Sequence, residues 1–371
     1  MNLALSDEQV LLREAARGAL SRFKTLEAAR EALDGGGDPP DLWPTAVEAG
    51  WPGLLVSEAH GGAGLDAFDA MLVLGECGRV LAAVPLLGHL PATAILDAAP
   101  AAADIVGPLA HGEQRAAYLP ARPPDDVRGE WTVDPAGGME RAAAPRIVEA
   151  RVSGQVAFVP NAPGADVLVG VGTRAGEPVG FAVRSDAPGL SVEAVRRYDS
   201  TRTLGHVALS DTPATVLDAP VETLTGAWHL AQALIAAESL GAVETALETS
   251  VAYAKERFTF GRAIGSYQAV KHSLTEVLRQ LENGRSLLYY AGWSRHGAPA
   301  EFPLAAGAAR SVAGRALDYA ARAMISVHGG IGATWEHDAP LYFRRAQLTR
   351  RLLGGTALAS DQVASELIAQ G

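Results

Sequence analysis

Hydrophobic periodicity changes twice along this chain, and those two changes restrict its architecture more than any single motif does. Up to about residue 112 apolar side chains recur at helical spacing. Ser6 followed by Asp7 and Glu8 supplies an N-cap with an acidic first turn, and Val10, Leu11, Ala15, Leu20 and Phe23 follow behind it. Gly35-Gly36-Gly37-Asp38-Pro39-Pro40 interrupts the pattern, and Leu42, Trp43, Ala46 and Val47 then read as a short second helix. Beyond the Gly61-Gly62-Ala63-Gly64 loop, Phe68, Met71, Leu72, Leu74, Val80 and Leu81 carry a third. From about Glu113 to Pro220 the period shortens to two. Val152, Gly154, Val156 and Phe158 alternate with Ser153, Gln155 and Ala157, and Asp166 to Val171, Val179 to Val183 and His206 to Leu209 are further short β-rich runs. Helical spacing returns after Pro220, with Leu230, Leu234, Leu240, Val243, Leu247 and Val251 on one stripe and Leu274, Leu278 and Leu281 on the next. Four long helices are expected there. The order predicts an α+β multidomain protein: a helical domain over 1–112, a β-domain over 113–220 and a helical bundle over 221–371. It argues against a doubly wound parallel sheet.

Charge and cysteine content narrow the chemistry. Against 42 Asp and Glu the 371 residues carry 31 Lys and Arg, a net charge of −11, which disfavours nucleic acid or an anionic membrane as a partner. The single cysteine, Cys77, excludes an internal disulfide framework and Cys-rich metal sites, and fits a reducing compartment. With no run of ~20 apolar residues and no signal-peptide pattern at the start, the expected setting is cytoplasmic. His328, Glu336, His337 and Asp338 form the densest group of possible metal ligands, but their spacing matches no metal motif, so no metal is expected. Gly-x-Ser-x-Gly, Walker and dinucleotide-fold signatures are absent.

Two segments carry ligand-binding chemistry. Lys255 to His272 joins two long helices through a glycine-containing turn. Arg257 at a helix end offers a forked donor suited to a diphosphate, Thr259 adds a hydroxyl, and Gln268 opens the next helix within reach of a second polar group. Taken alone the segment also reads as an ordinary helix hairpin with a solvated Arg. In Val327 to Asp338, Gly329, Gly330 and Gly332 break two helices and let backbone N–H groups approach a ligand; alone, this too reads as a tight turn. The pair, in this order and at this separation, is more specific than either.

With those segments the chain resembles the acyl-CoA dehydrogenase family over nearly its whole length. The resemblance runs through Leu5-Ser6-Asp7-Glu8-Gln9, Gly61-Gly62-Ala63-Gly64-Leu65, Ser153-Gly154-Gln155-Val156-Ala157-Phe158-Val159, Thr201-Arg202 and both C-terminal segments. It implies a helical domain, a β-domain and a C-terminal four-helix bundle, with FAD as cofactor. It also carries Arg257, Thr259, Phe260, Gln268, Gly329 and Gly330 onto the ADP half of an FAD held mainly by a neighbouring subunit, so FAD and oligomers are implied together.

The departures are as informative. The family's catalytic Glu falls on Gly354 within Leu352-Leu353-Gly354-Gly355-Thr356, and its alternative position falls near Ala231; neither residue can abstract a proton. Glu238, two turns further on, is a weak substitute and reads better as a structural or partner-facing carboxylate. The segments that hold a subunit's own flavin ring appear as Tyr118-Leu119-Pro120-Ala121-Arg122 and Phe158-Val159-Pro160, and Pro160 has neither hydroxyl nor N–H to offer. Ser326 stands where the family often has Gln. Residues lent to a neighbour's FAD thus survive while those for the chain's own FAD look eroded. That pattern resembles the non-catalytic partner subunits of heteromeric, steroid side-chain type actinobacterial acyl-CoA dehydrogenases. It implies a heterotetramer with a homologous catalytic subunit, an acyl-CoA substrate, and an electron-transferring flavoprotein as acceptor. Two alternatives stand beside it: a self-sufficient homo-oligomeric flavoenzyme whose base has moved to Glu238 or elsewhere, and a structural subunit of the same fold without flavin.

Overall fold

Ser6 starts the first helix as its composition predicts: its hydroxyl accepts the Gln9 N–H at 3.2 Å while the Gln9 side chain accepts the Ser6 N–H at 3.1 Å. The computed structural model describes residues 4–33, 39–119, 130–133, 141–195 and 198–370. The Gly35 to Asp38 break and the Pro120-Ala121-Arg122 stretch therefore lie outside the described residues. Helix α1 (Asp7–Ser21) is followed by α2 (Thr25–Leu33), which the periodicity reading passes over because its buried positions are only Thr25 and Ala29. Then come α3 (Trp43–Glu48), α4 (Ala67–Arg79), α5 (Leu86–Asp97) and α6 (Ala103–Ala110). Asp66 and Asp69 form a reciprocal cap at the start of α4.

The middle of the chain is a β-structure. Its main sheet runs in the order β10-β7-β6-β4-β5-β9-β8, with β1 (Ala116–Tyr118) pairing in parallel with β6 (Val167–Arg174). The other members are β4 (Arg146–Val148), β5 (Arg151–Pro160), β7 (Glu177–Arg184), β8 (Leu190–Ala194), β9 (Leu204–Pro213) and β10 (Thr215–Leu217), while β2 (Glu130–Val133) and β3 (Arg141–Ala143) pair separately. The β5–β9 ladder shifts register between Val156 and Val159, where Phe158 takes a φ of 54°. A bulge therefore sits where the sequence places the flavin-facing strand end.

Beyond it lie α7 (Val221–Glu256), α8 (Gln268–Gly297) and α9 (Phe302–His328). Helix α7 is long and apolar enough to cross a membrane, yet 83% of its most apolar window is buried within the protein. Burial on both sides explains its lack of a polar face. It crosses α4 with the backbones touching: a Cβ on Gly241 would lie 1.9 Å from the Gly75 carbonyl oxygen, and one on Gly78 would lie 1.9 Å from that of Glu238. This crossing ties the N-terminal helices to the bundle. The expected fourth long helix is instead two shorter ones, α10 (Ala339–Thr349) and α11 (Gly355–Gln370). Leu353, Gly354 and Gly355 all have positive φ, at 52°, 81° and 72°, and such a run cannot continue a right-handed helix.

Candidate functional site

Helix α7 ends at Arg257, whose backbone leaves helical geometry at φ −82° and ψ 124°. The chain then makes a two-strand hairpin, β11 (Phe258–Thr259) and β12 (Arg262–Ala263), around Phe260 and Gly261. Both turn residues have positive φ, 52° and 77°, the requirement of a type I′ turn, which Gly261 meets without strain and Phe260 meets at some cost. The Tyr267 hydroxyl donates to the Thr259 carbonyl at 3.0 Å, and the Arg262 guanidinium lies 4.0 Å from the Tyr267 ring centre, so the hairpin is braced by Tyr267. Its front is open: Arg257 and Gln268 are exposed, and Phe258 and Phe260 are 63% and 93% exposed.

Beside the hairpin lies a cavity of about 460 Å³ that brings Thr259 and Phe260 together with Ile264, Tyr267 and Ser326. Two residues past its wall at Val327, Gly329 adopts φ 63° and ψ −136°, and a Cβ added at Gly329 or Gly330 would meet nothing within 4 Å. The two sequence segments are therefore neighbours in space. Arg257, Gln268, Gly329 and Gly330 flank the cavity in the chain without lining it. The glycine loop is pinned from below. His328, buried, packs between Tyr253 and His337 with ring centres 4.4 and 4.1 Å away, and Asp338 pairs with Arg30 of α2. Trp335 and Tyr198 hold the Arg344 guanidinium between them, at 4.7 and 4.1 Å. His328 and His337 thus serve as packing groups, and among the described residues no three His, Cys, Asp or Glu side chains are placed to hold a metal.

Sequence reasoning favoured a structural or partner-facing Glu238 without naming its partners. It is buried on α7, where one carboxylate oxygen accepts from the Arg345 Nη1 at 2.7 Å and the other pairs with Arg202. Arg345 also donates from Nε to Asp199 at 2.7 Å and from Nη2 to the Thr201 carbonyl at 3.0 Å. Burial alone would raise the Asp199 carboxyl, but Arg345 and the two Thr201 donors hold it below its ordinary value. Burial works against the Arg345 charge too, and Glu238 and Asp199 overcome it and hold that guanidinium above its usual range. Arg202 and Arg310, less fully compensated, are pushed down by burial, Arg310 to about 10. The Thr201-Arg202 pair and the Arg344-Arg345 pair were the available signals, but nothing in their spacing says that they converge on Glu238.

The two positions that the resemblance assigns to a base are closed. Ala231 is fully buried, and a Cβ on Gly354 would lie 2.2 Å from Leu358 Cδ2. Arg310 holds the surrounding turn through the Thr349 and Leu352 carbonyls, at 2.5 and 3.2 Å, and Gln232 holds it through the Leu353 carbonyl at 3.0 Å. On the β-domain side, Pro160 pairs with Leu204, and its carbonyl lies against Gly88. Phe158 packs edge-on against His206 with ring centres 4.7 Å apart, and its N–H points to His206 Nδ1 at 3.4 Å. These groups are engaged within the protein.

Comparison with known proteins decides the family. A profile of the acyl-CoA dehydrogenase C-terminal domain matches residues 223–368, and one of the N-terminal domain matches residues 6–121. The chain belongs to the acyl-CoA dehydrogenase family. As a member it is an oxidoreductase of the type acting on CH–CH groups, and the family's cofactor is FAD. Acyl-CoA dehydrogenase IpdE2 of Mycobacterium tuberculosis is 33% identical over 351 residues, which span 94% of this chain and 93% of that protein. Among solved structures, the Tcur3481-Tcur3483 steroid ACAD superposes with a TM-score of 0.86 at 27% identity, covering 98% of both chains. The ChsE4-ChsE5 complex from Mycobacterium tuberculosis gives 0.85 over 99% of both chains; at 23% identity this likeness concerns the fold. The helical, β and helical-bundle order of this acyl-CoA dehydrogenase is that of its relatives.

Proposed function

We propose that this acyl-CoA dehydrogenase chain is the non-catalytic partner of a heteromeric α,β-dehydrogenating complex, lending residues to an FAD held mainly by a homologous catalytic subunit. The supporting observation is the contrast between two halves of the site. Arg257, Thr259, Phe260, Gln268, Gly329 and Gly330 stand at an open, braced surface suited to an incoming diphosphate, while Gly354 and Ala231 leave both base positions empty and Glu238 is spoken for by two arginines. FAD, when bound there, would take the hydride from the acyl chain. The chain's own work is to grip: Arg257 offers charge-assisted donors to the diphosphate, and Gln268 and the glycine-loop N–H groups add neutral ones. The partner would supply the carboxylate that removes the α-proton. Among the relatives, steroid ACADs and a two-protein complex favour a bulky acyl-CoA and a heterotetramer. An electron-transferring flavoprotein and a cytoplasmic setting complete the reading.

The test is flavin content and turnover of the purified chain, alone and co-produced with its homologous partner. One FAD per pair of unlike chains is expected, with acyl-CoA oxidation only in the pair. Robust turnover by the chain alone, or a stable monomer in the co-produced sample, would refute the shared-flavin reading.

A further inference from the structure

A second cavity, of about 270 Å³, lies at the junction of the N-terminal helices and the β-domain, away from the flavin-lending hairpin. Its walls include Pro40, Asp41 and Pro85 on one side, and Arg115, Asn161 and Arg202 on the other. Arg115 is already matched, since its Nη2 lies 2.5 Å from Asp41 and its guanidinium stacks over Trp43. The floor is different. Asn161 and Arg202 are 9% and 5% exposed, and among the described residues both Asn161 Oδ1 and Arg202 Nε lack a hydrogen-bond partner. Buried polar atoms are seldom left so without a ligand or water to receive them.

Charge points the same way. Arg202 belongs to a buried group in which three guanidinium groups, those of Arg202, Arg310 and Arg345, face two carboxylates, Asp199 and Glu238. Among the described residues Arg310 finds only backbone carbonyls, so the group keeps one positive charge unmatched there. Within it, Arg202 lines this cavity. An anion there would balance the cluster and receive the free Nε–H. A donor on the same ligand would satisfy Asn161 Oδ1. Asn161 is held in place by its own N–H, which donates to the Thr203 carbonyl at 2.9 Å, and Thr203 lines the same cavity.

We infer that this crevice is a binding site for a small hydroxy-carboxylate, its carboxylate on Arg202 and its hydroxyl on Asn161. A cavity this small, just under the usual ~300 Å³ lower bound for small-molecule sites, suits a ligand of only a few carbons. The test needs no flavin.

The experiment is saturation-transfer NMR of 3-hydroxybutyrate, with butyrate as the comparison lacking the hydroxyl, on the full chain without added FAD. Saturable binding of 3-hydroxybutyrate is expected, with butyrate at least about fivefold weaker. Asn161→Asp keeps the shape and the left-handed backbone preference at φ 61° but sets a negative charge against the ligand; it should weaken binding at least about tenfold. Ala83→Leu, which plugs the crevice from its rim without touching the ionic cluster, should abolish it, and it keeps the test valid should the Asn161 variant fail to fold. No saturable binding by the wild-type chain, or equal binding by wild type and Ala83→Leu, overturns the proposal.

Discussion

Glu238→Gln separates a structural carboxylate from a displaced catalytic base. Gln keeps the length and most of the shape of Glu but removes the charge that faces both Arg345 and Arg202. Asp199 would then be the sole carboxylate, among the described residues, facing three buried guanidinium groups. Breaking a buried pair by neutralising one partner typically costs about 3–5 kcal/mol, because the other charge stays buried and uncompensated. Unfolding entropy of about 2.1 cal/mol/K per residue, taken over the whole chain, is roughly 0.8 kcal/mol/K, so the melting temperature should fall by about 4–6 °C. Calorimetry or dichroism on the co-produced complex reads this directly. Turnover, measured well below the transition with an artificial electron acceptor and acyl-CoAs of different bulk, should stay within about threefold of wild type. A displaced base predicts the reverse: kcat down by ~10²-fold or more with little change in melting. Loss of turnover without loss of stability would refute the structural assignment and move the active site into this chain.

Three further outcomes follow from the geometry. Arg257→Ala should weaken FAD retention by the complex roughly thirtyfold, about 2 kcal/mol for a charge-assisted contact to a diphosphate, and equal flavin content at limiting FAD would count against the lent grip. Burial lowers His89 and His229 to about 4, below the 6.5 of the unfolded chain. The unfolded state therefore binds more protons between those values, and the stability from each His, up to about 3 kcal/mol and complete above pH 6.5, is lost as pH falls toward 4. Denaturant titrations from pH 7 to 4.5 should show that loss, and His229→Asn, which keeps an acceptor toward Gln362, should make it shallower. Gly354→Glu should not create a dehydrogenase in the isolated chain: the new side chain meets Leu358 and a φ of 81°, so the readout is a lower melting temperature with no turnover, and turnover would show the turn to be more yielding than its packing indicates.

How much of this was legible in the sequence depended on the range of the interactions concerned. The Ser6 cap and the strand over Arg151–Pro160 are set by neighbours within a few residues, and the apolar stripe of α7 repeats every turn, so all three can be read directly. Helix α2 escaped because its two buried positions leave almost no stripe, and β8 and β10 because they are short and half exposed. The split of the expected fourth long helix turns on Leu353, a residue with no intrinsic taste for positive φ; only its neighbours Gly354 and Gly355 hinted at a break. The residues proposed to lend a grip on flavin lie in two contiguous segments, so a sequence reading can single them out by type and order. The Asp199–Arg345–Glu238–Arg202 cluster joins residues up to 146 positions apart, and no local pattern reports it.

That cluster also explains why a carboxylate cannot easily drift into the role of base in this chain. A general base needs a free oxygen facing the substrate, whereas Glu238 presents one oxygen to each of two arginines and has neither to spare. The turn at Leu352–Gly354, where the family's Glu would stand, is meanwhile held by Arg310 and Gln232 through backbone carbonyls. Main-chain anchoring of this kind draws on no side chain at position 354, so it holds the start of α11 with glycine there. The exposed hairpin at Arg257 is held separately by Tyr267, whose hydroxyl donates to the Thr259 carbonyl and whose ring lies against the Arg262 guanidinium. The turn at Gly354 and the hairpin at Arg257 are therefore mechanically separate, as the proposed role of a non-catalytic partner on a shared flavin requires.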